Sequence, residues 1–319
     1  MPDTRKFIVS HPPYWHEGSS ISARSHHIML AALPAILLGF VQYGMPAVAV
    51  VSLSVSTAIL WELLINRLTR QDITIGDGNA ALIGLLLAML LPATIPWWIV
   101  VVGTFLAIVI GKQIYGGIGG NAFNPVLVTM AILMISWNNY FDFDEALVDY
   151  DLGFIMAYPL TQLKYFGVSA IDGYTTGNLL LGRQSGGIGA TFGLGLVLGG
   201  IYLMAKRTIR WEISLSFIAG IFITAFGFYL VDPGQYAGPV FHLLCGYTLI
   251  GAFFLATEDS SSPVNIIPML IYGAGGGMLT VLIRNIGSYV DGVIYAILIM
   301  NLLNPLLDKI RPKAIGKAG

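Results

Sequence analysis

The chain has 319 residues, 56% of them apolar and only 10% charged, with a mean hydropathy of +0.77. Soluble domains carry about 25% charged residues, so a water-soluble globular protein is excluded and an integral membrane protein is indicated. The net charge of −1 gives no basis for a nucleic-acid partner.

Cys245 is the single cysteine. It permits neither an internal disulfide nor an iron–sulfur cluster of this chain's own, which takes about four thiolates. Of the five histidines only His242 lies in an apolar stretch, which argues against haem or structural zinc. Redox chemistry here has to run on an organic cofactor.

In chain order, residues 1–27 are polar and lack the apolar core and small-residue cleavage site of a signal peptide; they are expected as a cytoplasmic N-terminal segment. A first membrane half, 28–137, contains apolar stretches at 28–46, 48–66, 79–95, 96–114 and 122–137. A polar segment, 138–189, carries Asp142, Asp144, Glu145, Asp149 and Asp151. A second half, 190–307, contains stretches at 190–206, 211–231, 238–257, 264–284 and 291–307, followed by a tail at 308–319. A full span takes about 20 residues, so the shorter stretches predict tilted or broken helices. The reading is an all-α polytopic membrane protein with about ten transmembrane helices.

The basic residues orient these spans. With the N-terminus cytoplasmic, all of the 16 Lys and Arg except Lys164, Arg183 and Arg284 lie inside, as the positive-inside rule requires. Both termini are then cytoplasmic and 138–189 is extracytoplasmic. The two halves also echo each other: GDGNAALIGLLLAMLLPATIP at 76–96 is similar to LCGYTLIGAFFLATEDSSSP at 244–263. Five spans per half would run in opposite directions, the inverted-repeat plan with a site near the midplane built from broken helices.

Four motifs carry candidate chemistry. Asp77-Gly78-Asn79 opens an apolar helix, where a short carboxylate accepts free helix amides; a cap alone explains it equally well. The run GKQIYGGIGGNAFNP at 111–125 lies between long apolar stretches. Its backbone cannot face lipid, where each unpaired polar group costs several kcal/mol. Gly116, Gly117, Gly119 and Gly120 allow backbone to approach a planar or anionic ligand closely, and Asn121 and Asn124 supply donors and acceptors. Asn124-Pro125 also starts the next helix. The third motif, 186–191, presents Gly187, Gly189 and Thr191 before span six, where free amides would favour a phosphate. The fourth, 256–263, places Glu258 and Asp259 at the inner end of span eight, where a solvated loop is the simpler account. Few ionisable groups lie within the spans: Glu62 and Glu212 are the main ones, and no ion relay is legible.

Taken together, DGNAALIGLLLAMLLP, GKQIYGGIGGNAFNP, GGIGATFGLGLVLGG, HLLCGYTLIGAFFLATEDSSSP and GSYVDGVIYAILIMNLLNPLLD, with the N-terminal SHPPYWHEGSSISARSHHIML, resemble the D-subunit family of the Rnf electron-transport complex. The B subunit of the sodium-translocating NADH:quinone oxidoreductase shares these signatures but carries a longer N-terminal extension. The resemblance runs collinearly from about residue 8 to 310. It implies a ten-helix inner-membrane subunit of bacteria with an internal repeat and an FMN on the extracytoplasmic side; some members also hold a riboflavin. It implies a ferredoxin:NAD oxidoreductase that moves Na⁺ or H⁺, in which this subunit relays electrons through its flavin without complete activity alone. The implied partners are a second flavin-bearing subunit, iron–sulfur subunits and membrane lipid.

One departure matters. The family pattern at the flavin attachment site is Asp, two variable residues, then Ser-Gly-Ala-Thr, with FMN as a phosphoester on the threonine. The matching stretch is Asp172-Gly173-Tyr174-Thr175-Thr176-Gly177-Asn178, which puts Asn178 at the acceptor position. An amide cannot form that ester. Non-covalent FMN is expected, with attachment at Thr176 as the alternative. The flavin pocket is expected to draw its walls from 116–121, Asn124, 172–178 and 186–191. The rival functional reading is a channel or transporter for a small polar solute, which inverted repeats also build.

Overall fold

The computed structural model describes residues 20–310, and these form helices with no strand among them. Residues 1–19, which belong to the N-terminal segment expected in the cytoplasm and to the N-terminal signature, and residues 311–319 of the tail lie outside the described residues. Five helices are long and apolar enough to cross a membrane: α1 (Ile21–Tyr43), α2 (Met45–Thr69), α4 with its continuation (Trp97–Tyr115), α10 (Trp211–Val231) and α13 (Ile266–Asn285). Four apolar helices are shorter: α3 (Asn79–Leu90), α5 (Pro125–Ser136), α9 (Gly193–Ala205) and α14 (Val293–Leu307). Each expected apolar stretch thus contains helix, but only five reach full length. The expected spans 79–95 and 122–137 are 12-residue helices of about 18 Å, against a hydrocarbon core of about 30 Å.

Local chemistry sets the boundaries. Ser20 caps α1 by accepting from Ala23 N at 3.0 Å. α1 stops at Gly44, whose φ of 65° an L side chain rarely adopts, and Pro46 opens α2 one residue into the helix. α3 ends where Pro92 forbids a further turn. The expected span 238–257 is broken into α11 (Pro239–Leu244), a turn at Cys245–Tyr247, and α12 (Thr248–Ile250), which continues as a wide π-type turn, Gly251–Leu255.

α3 lies at the centre. Ala80 and every residue from Leu82 to Leu90 are buried, as expected of a helix that is apolar all round. Its neighbours include α1, α2, α4 and α5. The stretch leading through α12 is set against it in the opposite sense: Tyr247 Oη donates to Leu90 O at 2.8 Å at the C-terminal end of α3, and Phe253 and Phe254 line a cavity with Leu82 and Ile83 near its N-terminal end.

The segment 138–189 folds into short helices, α6 (Phe143–Ala146), α7 (Pro159–Phe166) and α8 (Thr176–Leu180). Buried Phe141, Phe143, Tyr158 and Tyr174 anchor it. Tyr158 N donates to Asp144 Oδ1 at 2.5 Å and Tyr174 Oη to Ala157 O at 2.7 Å. Burial pushes the Asp144 carboxyl upward, and the Tyr158 amide partly offsets that.

Candidate functional site

The glycine run forms one wall of a cavity of about 150 Å³ at the N-terminal end of α3. Ile28, Leu82, Ile83, Leu86, Phe253 and Phe254 supply an apolar interior, and Lys112, Gly119, Asn121, Asn124, Glu258 and Asp259 supply its polar rim. The expected cap forms at this end, with Asp77 Oδ1 accepting from Asn79 N at 2.7 Å. Gly116, Gly117 and Gly119 have φ values of 96°, 97° and 89°, and nothing lies within 4 Å of a Cβ placed on any of them. Backbone conformation, not crowding, therefore requires glycine at these three.

Asn124 joins the two halves of the chain. Its Oδ1 accepts from Val126 N at 2.9 Å and caps α5, while its Nδ2 donates to Leu255 O at 2.9 Å. That carbonyl lies at the end of the π-type turn, where the helical ladder leaves acceptors free. Asn121 Nδ2 donates to Glu258 Oε1 at 3.2 Å and Ser261 Oγ to Glu258 Oε2 at 2.5 Å. The 256–263 segment, expected as a solvated loop, is therefore part of the site. Arg24 and Asp259 pair across the mouth.

Two charged groups that the motifs did not join meet beside this cavity. Lys112 Nζ donates to Glu62 Oε1 at 2.9 Å, with both side chains buried. The available signal was Glu62 itself, a carboxylate inside an apolar stretch, together with the lysine that opens the glycine run. A second buried pair, Arg284 with Asp291, sits at the other end of the molecule. It satisfies the break between α11 and α12: Arg284 donates to His242 O at 2.7 Å and to Thr248 Oγ1 at 2.8 Å, and Asp291 accepts from Tyr247 N at 2.7 Å.

The expected single pocket is not what forms. Gly187, Gly189 and Thr191 lie at the C-terminal end of α3, about 17 Å of helix away from the glycine run. Their segment closes that end: Ile188 N donates to Leu91 O at 3.0 Å and Gly189 N to Met89 O at 2.9 Å. A Cβ on Gly187 would meet Met89 O at 2.7 Å. Those two amides are spent on helix carbonyls, so the segment plugs a half-helix and does not offer them to a phosphate. The stretch 172–178 lies in the polar 138–189 segment, away from the glycine run. Thr175 caps α8 by accepting from Asn178 N at 3.3 Å, and Asp172 and Thr176 are exposed.

Residues 8–316 match the model of the NQR2, RnfD, RnfE family. The chain belongs to this family. It is 38% identical over 316 residues to the D subunit of a proton-translocating ferredoxin:NAD(+) oxidoreductase complex from Clostridium ljungdahlii, covering 95% of this chain and 94% of that one. It is 35% identical over 309 residues to the D subunit of a Na(+)-translocating ferredoxin:NAD(+) oxidoreductase complex from Acetobacterium woodii, covering 96% and 94%. The D subunit of an ion-translocating oxidoreductase complex from Aeromonas salmonicida is 33% identical over 346 aligned positions, covering 97% and 99%. The family resemblance read from the motifs is thereby established over almost the whole chain.

Proposed function

We propose that this chain is the D-type membrane component of an ion-translocating ferredoxin:NAD⁺ oxidoreductase complex of the bacterial cytoplasmic membrane, relaying electrons through bound flavin. The observation that carries this reading is the near-full-length relation to the D subunits of such complexes. Two of those relatives differ in the ion their names carry, so membership of the family leaves Na⁺ and H⁺ both open. The chain is one subunit among several. Iron–sulfur and further flavin-bearing partners supply and remove its electrons.

The cavity at the N-terminal end of α3 is the site we assign to a flavin ring. Phe253, Phe254, Ile83 and Leu86 suit a planar apolar body, while Asn121 and Glu258 suit its hydrogen-bonding edge. Both cations near the cavity are already paired, Lys112 with Glu62 and Arg24 with Asp259. Among the described residues that line it, a phosphate would find no unpaired cation, which favours the unphosphorylated flavin, riboflavin. FMN is assigned to the 172–178 loop on the extracytoplasmic side, held without a phosphoester because position 178 is asparagine; Thr176 is the alternative attachment point. A bound flavin supplies one- and two-electron exchange between donors and acceptors. The protein's part is to hold the ring and to exclude water from it.

The ten-span topology with cytoplasmic termini belongs to the same proposal. Its supports are the distribution of basic residues and the antiparallel pair α3 and α12. Each of those helices follows a glycine in left-handed conformation, Gly78 at φ 70° and Gly246 at φ 67°, which fits an inverted repeat.

Purification of the intact complex and of this chain in detergent tests the reading. The chain is expected to be yellow, with flavin in about stoichiometric amount. A folded, colourless chain would overturn the assignment and favour a transporter for a small polar solute.

A further inference from the structure

We propose that Thr74, Glu62 and Lys112 form a proton path from an open groove into the cavity, serving the redox ligand held there. The inference rests on the reading above that this cavity holds a flavin.

The groove, about 860 Å³, lies at the α2–α3 loop and is lined by Asn66, Arg70, Asp72, Thr74, Asp77 and Gln113, among others. The groove and the cavity share Ile21, Lys112 and Ile118 in their linings. Of these three only Lys112 carries an exchangeable side-chain proton. Lys112 is 2% exposed and Glu62 is 0% exposed, so the pair separates the two spaces. One exposed hydroxyl bridges it to the groove: Thr74 Oγ1 donates to Glu62 Oε1 at 2.7 Å, the same oxygen that accepts from Lys112 Nζ at 2.9 Å. Thr74 is held there by Asn66 Nδ2 at 3.1 Å, and Asn66 in turn by Gln113 Nε2 at 3.3 Å.

A pair kept only to brace the helices would be expected to close all its bonds, because a buried charge left partly unsatisfied costs more than apolar packing. Glu62 Oε2 instead has no hydrogen-bond partner, while Oε1 holds both the Thr74 hydroxyl and the Lys112 ammonium. The relay runs over Oε1, which joins the hydroxyl directly to the ammonium.

The transfer balances. Electrons reach the cavity from the reduced ferredoxin-class donors of the complex. Lys112 gives one N–H proton to the reduced ligand, and Glu62 Oε1 relays the Thr74 hydroxyl proton to Lys112 to restore the ammonium. The Thr74 oxygen takes a proton from hydronium in the groove in the same hop, so neither an alkoxide nor a hydroxide is left behind. The net change is one proton moved from the groove to the ligand for each cycle of the path.

The test uses the intact complex carrying Thr74→Val, Thr74→Ser or no change. Flavin content is measured first, then proton uptake from the medium with a pH-indicator dye in stopped flow as the complex is reduced. Thr74→Val keeps shape and removes the bridge. It should leave flavin content unchanged and lower the melting temperature, because Glu62 loses a hydrogen-bond donor, while slowing reduction-linked uptake by at least about tenfold, within the usual reach of a positioned acid–base group. Thr74→Ser should restore the rate, as should formic acid small enough to enter the groove. Full flavin content with unaltered uptake in Thr74→Val overturns the path alone. Loss of flavin in both variants assigns Thr74 a structural role and also overturns it. Absence of flavin from the unmodified chain removes the ligand and overturns both this path and the flavin reading.

Discussion

Asn124 shows how one side chain can hold a site without having to touch what the site binds. Its carbonyl oxygen caps α5 and its amide group anchors the exit of the π-type turn through Leu255 O. Asn124→Ala removes both bonds and is expected to cost about 2 kcal/mol, read as a lower melting temperature in detergent, together with loss of flavin. Asn124→Asp keeps the cap but sets a buried carboxylate oxygen against Leu255 O, so its melting temperature should fall at least as far as that of Asn124→Ala. A wild-type melting temperature for Asn124→Asp would mean that the bond to Leu255 O contributes nothing. At the other end, position 178 lacks the hydroxyl that a phosphoester needs. Flavin is therefore expected in the supernatant after acid precipitation, and Thr176→Ala should not change that; fluorescence remaining with the pellet and abolished by Thr176→Ala would show covalent attachment.

Among the elements, α3 is the one on which the architecture turns. It is too short to span, and both of its ends are served by other parts of the chain: Asp77 at the N-terminus, the 186–191 segment at the C-terminus. Gly187→Ala pushes a methyl group against Met89 O and Leu90 O at 2.7 and 2.8 Å. Backbone atoms cannot rotate away, so a cost of about 1–3 kcal/mol is expected, measured by thermal unfolding in detergent; an unchanged melting temperature would contradict the plug. The break between α11 and α12 depends likewise on Arg284 and Asp291. Asp291→Asn leaves a buried guanidinium without its counter-charge and should destabilise by about 3 kcal/mol. Asp291→Glu should recover part of that if the length of the side chain is tolerated beside Gly246, where space is already filled by the Asp291 carboxylate.

At the scale of the whole molecule, the two ends of α3 divide the chemistry. The cavity, the glycine run and the Glu62–Lys112 pair share the end that carries Arg67, Arg70, Lys206, Arg207 and Arg210; the 138–189 segment and the Arg284–Asp291 pair share the other. Reporter fusions after Asp149 and after Lys313 should give outside and cytoplasmic signals respectively. A cytoplasmic signal at Asp149 would place the acidic segment on the wrong side and dismantle the topology.

Composition and pattern alone determined that the chain enters a membrane, that its described structure is helical, and which family it resembles. Apolar length and charge asymmetry are properties of the chain that the bilayer reads directly. Of the residues expected from the glycine run, Gly119, Asn121 and Asn124 line the cavity and Gly116 and Gly117 the groove beside it; the run stood out because glycine and asparagine between long apolar stretches have few other uses. Grouping them with Gly187, Gly189 and Thr191 was not sound: similar glycine composition says nothing about which end of a buried half-helix each segment meets. Only the tertiary structure decided that, and only it paired Lys112 with Glu62, 50 positions apart. The partner of a buried charge is chosen by helix packing, where desolvation makes an unpaired ion costly, and packing leaves no periodic mark in the sequence.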